Sequence, residues 1–145
     1  MAVTEITSAN SIVMIQVEEL IPQAVRLEKF SSDAIAQVGE FQAAEGRMGV
    51  DGRLAVGQTP KPVEVTINLE ANTPSERLLY RVLKTMADRQ QIFATTLTVR
   101  VPAQRATYTF HNGSLTTGIA MNNLGTMLEK SSWKIIFESY TRQDD

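Results

Sequence analysis

Hydrophobic and polar residues alternate most regularly over residues 63–70, with the sequence VEVTINLE. A period of two predicts a β-strand whose successive side chains point to opposite faces. The odd-numbered apolar residues, from Val63 to Leu69, form the face that a core would bury. The other face is polar without being cationic, and it is the first candidate functional surface. Its residues are Glu64, Thr66, Asn68 and Glu70.

The pattern predicts a helix directly after this strand. Thr73 is placed to cap it, Pro74 suits the first helical position, and Glu76 completes a capping box. Leucine, valine and methionine then recur at helical spacing as far as Met86. We therefore predict a helix over about residues 74–90.

Strand patterns also precede this segment. A β-branched run covers residues 11–17, and an alternating segment follows in which Pro22 indicates an edge strand or a bend. Residues 31–38 fit either a short capped helix or a short strand, and we favour the strand.

Three further strand patterns follow the helix. Residues 95–101 alternate, residues 106–121 predict a hairpin with Asn112-Gly113 at its tip, and residues 132–140 form the last strand. The segment between the last two, with the sequence NNLGTMLEK, fits either an irregular connection or a helical turn. Because no strand–helix–strand repeat is present, the pattern does not favour a doubly wound parallel sheet.

Residues 39–61 interrupt this regular pattern with five glycines. Asp51-Gly52 predicts a tight type I′ turn, since both central residues of that turn need positive φ. A small hairpin inside a long loop is the simplest interpretation. Long segments with little core-forming pattern are usually functional loops.

These elements predict a mainly β fold. We expect an antiparallel β-sandwich or barrel with one flanking α-helix at about 74–90 and a long glycine-rich loop at about 39–61. The length of 145 residues fits one domain, with a flexible N-terminal arm over residues 1–10 and a polar tail over residues 141–145.

Composition removes most kinds of chemistry from consideration. The formal net charge of −2 gives no overall attraction to nucleic acid or anionic lipid. The absence of cysteine excludes disulfides and thiolate metal sites, and the single histidine, His111, excludes paired-histidine catalysis. We find no phosphate loop, signal peptide or membrane-spanning run. We predict no enzyme activity, no metal and no cofactor.

Two long segments of the chain resemble the tail tube proteins of contractile-tailed bacteriophages. EFQAAEGRMGVDGRLAVGQTPKPVEVTINLEANTPSERLLYRVL is similar to that family's turn-rich loop, alternating strand and helix start. GSLTTGIAMNNLGTMLEKSSWKIIF is similar to its C-terminal segment, in which a small connection leads to a closing strand. The resemblance covers about residues 12–139.

The resemblance implies a structural role. Proteins of this kind form hexameric rings whose inner sheets join into one barrel. The rings stack into a tube inside a contractile sheath, and the tube conducts DNA during ejection. It therefore implies self-assembly, sheath and baseplate partners, DNA passage without sequence-specific binding, a place in the virion tail, and assembly in the host cytoplasm.

The resemblance also suggests roles for two surfaces. The polar face of residues 64–70 is the candidate lumen lining, because an acidic or neutral wall would not hold phosphates. Burial against a neighbouring subunit or the sheath is the alternative for that face. The glycine-rich loop is the candidate contact to an adjacent subunit or ring. Its contact residues are Met48, Val50, Asp51, Gly52, Leu54 and Val56.

The sequence is also compatible with other functions. A tail-end, baseplate or secretion-system tube protein would use a similar fold. A small β-barrel module for an apolar ligand is an alternative of another class, and it needs a monomer with an internal cavity.

Overall fold

The computed structural model describes residues 11–28, 30, 36–39, 43–58, 61–121 and 124–144. The predicted N-terminal arm and residues 31–35 lie outside these ranges. Within the ranges, the chain forms nine strands, one α-helix and a short 3₁₀ turn. They are β1 (Ile12–Val17), β2 (Ile21–Leu27), β3 (Ala36–Val38), β4 (Ala44–Met48), β5 (Leu54–Gln58), β6 (Val63–Leu69), α1 (Pro74–Arg89), β7 (Thr95–Val101), the 3₁₀ turn (Pro102–Gln104), β8 (Ala106–Thr117) and β9 (Ser131–Asp144).

Seven of the strands form one antiparallel sheet in the order β2-β1-β7-β8-β9-β6-β3, and β4 and β5 form a separate hairpin. β8 and β9 are the long central strands. The first part of β8 pairs with β7, whereas the first part of β9 pairs with β6. The sheet therefore has two halves joined through β8 and β9, and their inner faces share one core. This confirms the predicted antiparallel, sandwich-like fold with a single flanking helix in the described ranges.

A β-bulge interrupts β8 at the place where a hairpin tip is predicted. Leu97 of β7 pairs with Phe110 and Thr95 pairs with Gly113, so β8 contains one extra residue. Asn112 has a φ of 53°, which the bulge accommodates without reversing the chain. The prediction of a hairpin tip at Asn112-Gly113 is wrong, because β8 runs as one strand from Ala106 to Thr117 and pairs with β9 on both sides of Asn112.

The C-terminal residues also differ from the prediction. β9 continues to Asp144, and Ala106 to Thr109 of β8 pair with Asp144 to Thr141. The predicted polar tail is therefore strand over residues 141–144, because the unusually long β8 provides backbone partners there.

The core lies between the two halves of the sheet. The odd-numbered apolar residues of β6, Val63 to Leu69, are at most 2% exposed, as their alternation predicts. Trp133, Ile135 and Phe137 of β9 are fully buried beside them. Val13, Ile15 and Leu97 of the other half belong to the same cluster. Burial of this many large side chains is the main stabilising term of the fold.

α1 covers one end of this core. Leu79 and Val82 are buried, and Thr73 accepts a hydrogen bond from the Glu76 N–H at 3.4 Å. The helix ends at Arg89, and Gln90 caps it in the left-handed conformation with a φ of 51°. The predicted helix and its cap by the Thr73 side chain are confirmed, and Glu76 Oε1 accepts a hydrogen bond from the Asn72 N–H at 3.4 Å.

A buried polar network joins the helix start to β9. The Ser131 hydroxyl donates to Glu76 Oε2 at 2.9 Å and accepts from Trp133 Nε1 at 2.9 Å. The indole N–H of the fully buried Trp133 therefore has a hydrogen-bond acceptor. An unpaired buried donor would destabilise the folded state.

Candidate assembly surfaces

The polar face of β6 is only partly open to solvent. Glu64 is exposed and forms an ion pair with Lys134 of β9 at 3.1 Å. Thr66 is half-buried and lies opposite Lys134. Asn68 is 4% exposed and accepts a hydrogen bond from the Ser132 hydroxyl at 2.6 Å. Glu70 is exposed but lies just beyond the end of the strand. The alternation correctly predicts that the Glu64 side chain is exposed. It wrongly predicts that the Asn68 side chain is exposed as well.

This polar face continues across β9 and the second part of β8. Ser132, Lys134 and Glu138 alternate with the core residues of β9, and Asn112 of the bulge donates a hydrogen bond to Glu138. Glu64 lies opposite Ile136, and therefore between the positions of Lys134 and Glu138 along the face. Positive charge on this face is therefore offset by nearby carboxylates.

A second polar face, rich in threonine, covers the other half of the sheet. Thr98 of β7 lies opposite Thr109 of β8, and Thr109 lies opposite Thr141 of β9. In the next row, Arg100 donates a hydrogen bond to the Thr107 hydroxyl at 3.0 Å. We call this surface the threonine face. The sequence predicts its threonines as polar strand positions, but it does not show that they align across three strands.

The β4–β5 hairpin reverses by a different turn from the predicted one. The Gly52 N–H donates to the Gly49 carbonyl at 3.0 Å, and Gly49 pairs with Arg53. Only Gly52 has positive φ, at 79°, whereas Asp51 does not. Asp51 instead accepts a hydrogen bond from the Arg53 N–H at 3.0 Å. The loop thus matches a type I turn followed by a bulge at glycine, not the predicted type I′ turn.

One face of this hairpin is apolar and exposed. Met48 lies opposite Leu54, and Val56 lies opposite Gly46 on the same face. The exposed fractions of Met48, Leu54 and Val56 are 64%, 65% and 63%. A two-stranded hairpin alone is marginally stable in water. We call these three residues, with Val50 at the tip, the hairpin face.

A second apolar surface lies in the loop between β8 and β9. Leu124 and Leu128 form an isolated antiparallel bridge. Together with two methionines they expose side chains to solvent, and we call the four the β8–β9 loop patch. Its residues are Met121 (68% exposed), Leu124 (73%), Met127 (80%) and Leu128 (48%).

The sequence analysis does not assign a role to the β8–β9 loop patch. The available signal is a run of eleven residues, 118–128, that has no charged side chain and lies between two strands. Such a run has neither strand nor helix period. It can therefore be distinguished from core only by its exposure in the structure.

In the described part of the chain, the sheet ends in β2 on one side and β3 on the other, and neither has a partner strand on its outer edge. β2 lies at one end, where residues 22–26 are exposed, and β3 lies at the other with three residues. Pro22 lies in β2, as predicted for an edge strand. An open edge presents unpaired backbone groups to a neighbouring strand.

Among the described residues, no group of three or more histidine and carboxylate side chains is arranged to hold a metal ion. Arg142 Nε donates a hydrogen bond to Asp144 Oδ1 at 2.9 Å. This hydrogen bond and the negative charge of Asp144 raise the pKa of the exposed Arg142 guanidinium. In the described part of the chain, no helix has the length and apolar character needed to span a lipid bilayer.

Comparison with protein families gives one match that covers nearly the whole chain. A profile of the family described as tail fiber protein gp32 matches residues 4–141. The chain belongs to the tail fiber protein gp32 family. A search of curated protein sequences finds no match.

Solved structures show what fold this member of the gp32 family has. A chain from the anti-feeding prophage baseplate is 9% identical, with a TM-score of 0.66, and the alignment covers 99% of this chain and 98% of that one. A chain from the sheath/tube terminator of the PVC extracellular contractile injection system is 10% identical, with a TM-score of 0.66 and coverage of 98% and 99%.

A chain from the tube-terminating cap of the anti-feeding prophage is also similar. It is 10% identical, with a TM-score of 0.64 and coverage of 100% and 95%. The gp32 family member thus has the fold of contractile injection system components. This confirms the resemblance to a tail-tube-like protein.

Proposed function

We propose that this gp32 family member is a structural subunit of a tail tube, which assembles into hexameric rings that stack inside a contractile particle. The observation that carries this proposal is the hairpin face, whose three strand residues Met48, Leu54 and Val56 are each about two-thirds exposed. Exposed apolar surface of this kind marks a protein contact. Similarity to components of contractile injection systems supports the same role.

Ring closure follows from the edges of the sheet. β2 of one subunit and β3 of the next are the strands available for pairing, and a closed ring leaves no edge to promote aggregation. The anti-feeding prophage baseplate was solved with six-fold symmetry, which supports a ring of six. The polymer then lies in a virion tail or similar particle, after assembly in the host cytoplasm, with sheath and baseplate proteins as its partners.

The lumen of the tube would conduct DNA along a polar face of the sheet. Glu64 and Thr66 are the lumen-lining candidates of β6, while Asn68 is buried within the subunit. The ion pair of Lys134 with Glu64 reduces the attraction of that lysine for phosphate. The threonine face is the other polar sheet surface that could line the channel. Either face would let DNA slide without sequence-specific contacts.

A subunit at the end of the tube is a second candidate. The chains at TM-scores of 0.64 to 0.66 come from a baseplate, a terminator and a cap, whereas a chain from a sheath–tube complex reaches 0.52. A terminal ring would use the same fold and the same hairpin. It would differ by forming single rings or short stacks. A secretion-system tube would instead form long polymers without DNA.

No observation favours an apolar-ligand module or an enzyme. A small apolar-ligand module needs an internal cavity, but the interior between the two halves holds large side chains such as Trp133 and Phe137. A non-enzymatic role agrees with the similarity to structural components.

Electron microscopy of negatively stained protein over a concentration series tests the proposal. Hollow tubes would support a tail tube subunit, and isolated rings or stacks of a few rings would support the terminal ring. Addition of purified baseplate provides a nucleus if assembly needs one. Compact monomers under every condition would contradict both structural functions.

A further inference from the structure

The β4–β5 hairpin and the β8–β9 loop are attached at opposite ends of β6. The hairpin is attached beside the start of β6, because the Gly39 N–H donates to the Glu64 carbonyl at 2.8 Å. Lys61, two residues before β6, also forms an ion pair with Glu45 of β4 at 3.8 Å. Both chain segments that carry the hairpin therefore lie at the Val63 end.

The β8–β9 loop leaves the sheet at the other end of β6. Ser131, where β9 begins, pairs with Leu69, the last residue of β6. Thr117, where β8 ends, lies opposite Lys134. The six residue steps from Val63 to Leu69 correspond to about 20 Å along an extended strand. The points at which the two segments leave the sheet are thus separated by the height of the sheet.

The two surfaces match in chemistry. Neither the hairpin face nor the β8–β9 loop patch contains a charged side chain. The chain has six methionines, and three of them, Met48, Met121 and Met127, lie in these surfaces. Interface cores are depleted in charge and enriched in methionine, whose flexible thioether adapts to an irregular partner.

We infer that the β8–β9 loop patch is the docking site for the hairpin face of a second copy of this chain. The inference rests on the proposed self-assembly and specifies which two surfaces meet. A two-fold contact would use the same surface on both copies, whereas two different surfaces at opposite ends give a head-to-tail contact that repeats. Because each subunit carries both surfaces, the contact needs no other protein.

Cross-linking between single-cysteine variants tests this pairing, because the natural chain has no cysteine. Met48→Cys places a thiol on the hairpin face, and Met127→Cys places one on the β8–β9 loop patch. Both side chains are exposed, so the substitutions leave the core intact. The two variants carry tags of different mass and are mixed with a short bismaleimide. A mixture of Met48→Cys with Ala87→Cys, on the exposed side of α1, is the matched control.

We expect a mixed cross-linked dimer from Met48→Cys with Met127→Cys, at a yield at least about tenfold above the control mixture. Dimers of Met48→Cys alone would show that two hairpins face each other, and they would overturn the inference. Rings or tubes without the mixed dimer would overturn the inference and leave the proposed function standing. Mixed dimers without rings or tubes would support the pairing and contradict the tube. Monomers without any mixed dimer would overturn both.

Discussion

Gly113 of β8 lies directly against Phe137 of β9. A Cβ built on Gly113 would be 2.3 Å from Cδ1 of Phe137 and 2.6 Å from the carbonyl oxygen of Ile136. Real Cβ atoms do not approach other atoms so closely, and a backbone carbonyl cannot rotate away as a side chain can. The bulge at Asn112 and this close approach together place the Phe110 ring of β8 against the Phe137 ring of β9. The ring centroids are 5.4 Å apart.

Gly113→Ala is therefore expected to destabilise the subunit. Overpacking of a core contact costs about 1–3 kcal/mol, and the rigid neighbours here favour the upper end. Chemical denaturation followed by circular dichroism measures the loss. Gly57→Ala is the control, since nothing lies within 4 Å of a Cβ at that exposed site. Equal stability of the two variants would mean that Gly113 lies at an open turn and not in a packed strand.

Ser131→Ala should weaken the connection between α1 and β9. It removes the acceptor of the Trp133 indole N–H and the donor to Glu76 Oε2. Leaving a buried donor unsatisfied costs about 1–3 kcal/mol. Trp133 is the only tryptophan of the chain, so its fluorescence reports this site directly.

Urea unfolding followed by that fluorescence gives the measurement. Ser139→Ala, an exposed position in the same strand, should leave the free energy of unfolding unchanged within about 0.5 kcal/mol. A Ser131→Ala variant as stable as Ser139→Ala would show that water replaces the lost partners.

Local sequence signals predict the elements whose structure is decided locally. The period of two over β6 places Val63 and Ile67 in the core, and the Thr73 cap with Pro74 sets the helix start. These features depend on neighbours a few residues apart. They can therefore be recognised without knowledge of the sheet.

The errors arise where distant strands decide the outcome. Asn112-Gly113 favours positive φ in a turn and in a bulge alike, and only the pairing of β8 with β7 and β9 selects the bulge. Asn68 lies at an exposed position by alternation, yet Ser132 of β9 gives it a partner and it is buried. The β8–β9 loop patch has no period at all, and its exposure depends on the tertiary structure.

Leu54→Asp should block assembly while leaving the subunit folded. Leu54 is 65% exposed, so the charge costs little in the single chain. In an apolar contact, loss of a buried leucine costs about 1.5–3 kcal/mol, or about ten- to a hundredfold in the concentration at half assembly. Sedimentation velocity over a concentration series measures that shift, and thermal unfolding checks the fold.

Ala55→Asp is the matched control for the hairpin face. Ala55 is the next residue along β5, is also exposed, and lies on the opposite face of the hairpin across from Arg47. The same substitution there should change the half-assembly concentration by less than about threefold. An equal effect of both substitutions would contradict a contact through the hairpin face.

Substitution by lysine should reveal which polar face of the sheet lines the channel. Glu64→Lys removes the ion-pair partner of Lys134 and places two lysines side by side, in every subunit of a ring. Loss of an exposed ion pair costs at most about 1 kcal/mol, so assembly should persist. Double-stranded DNA should then be retained by the variant tubes, because lysines on the wall bind phosphates with release of counterions.

Retention of DNA fragments by assembled tubes is measured as a function of salt. The logarithm of the binding constant should fall with the logarithm of salt concentration by about 0.9 for each phosphate neutralised. Asp88→Lys, the same charge change on the exposed side of α1, is the control. Thr98→Lys places a lysine on the threonine face, with a charge change of one unit per subunit where Glu64→Lys makes a change of two. Retention by Thr98→Lys but not by Glu64→Lys would assign the lumen to the threonine face, and no retention by either would contradict a DNA channel along the sheet.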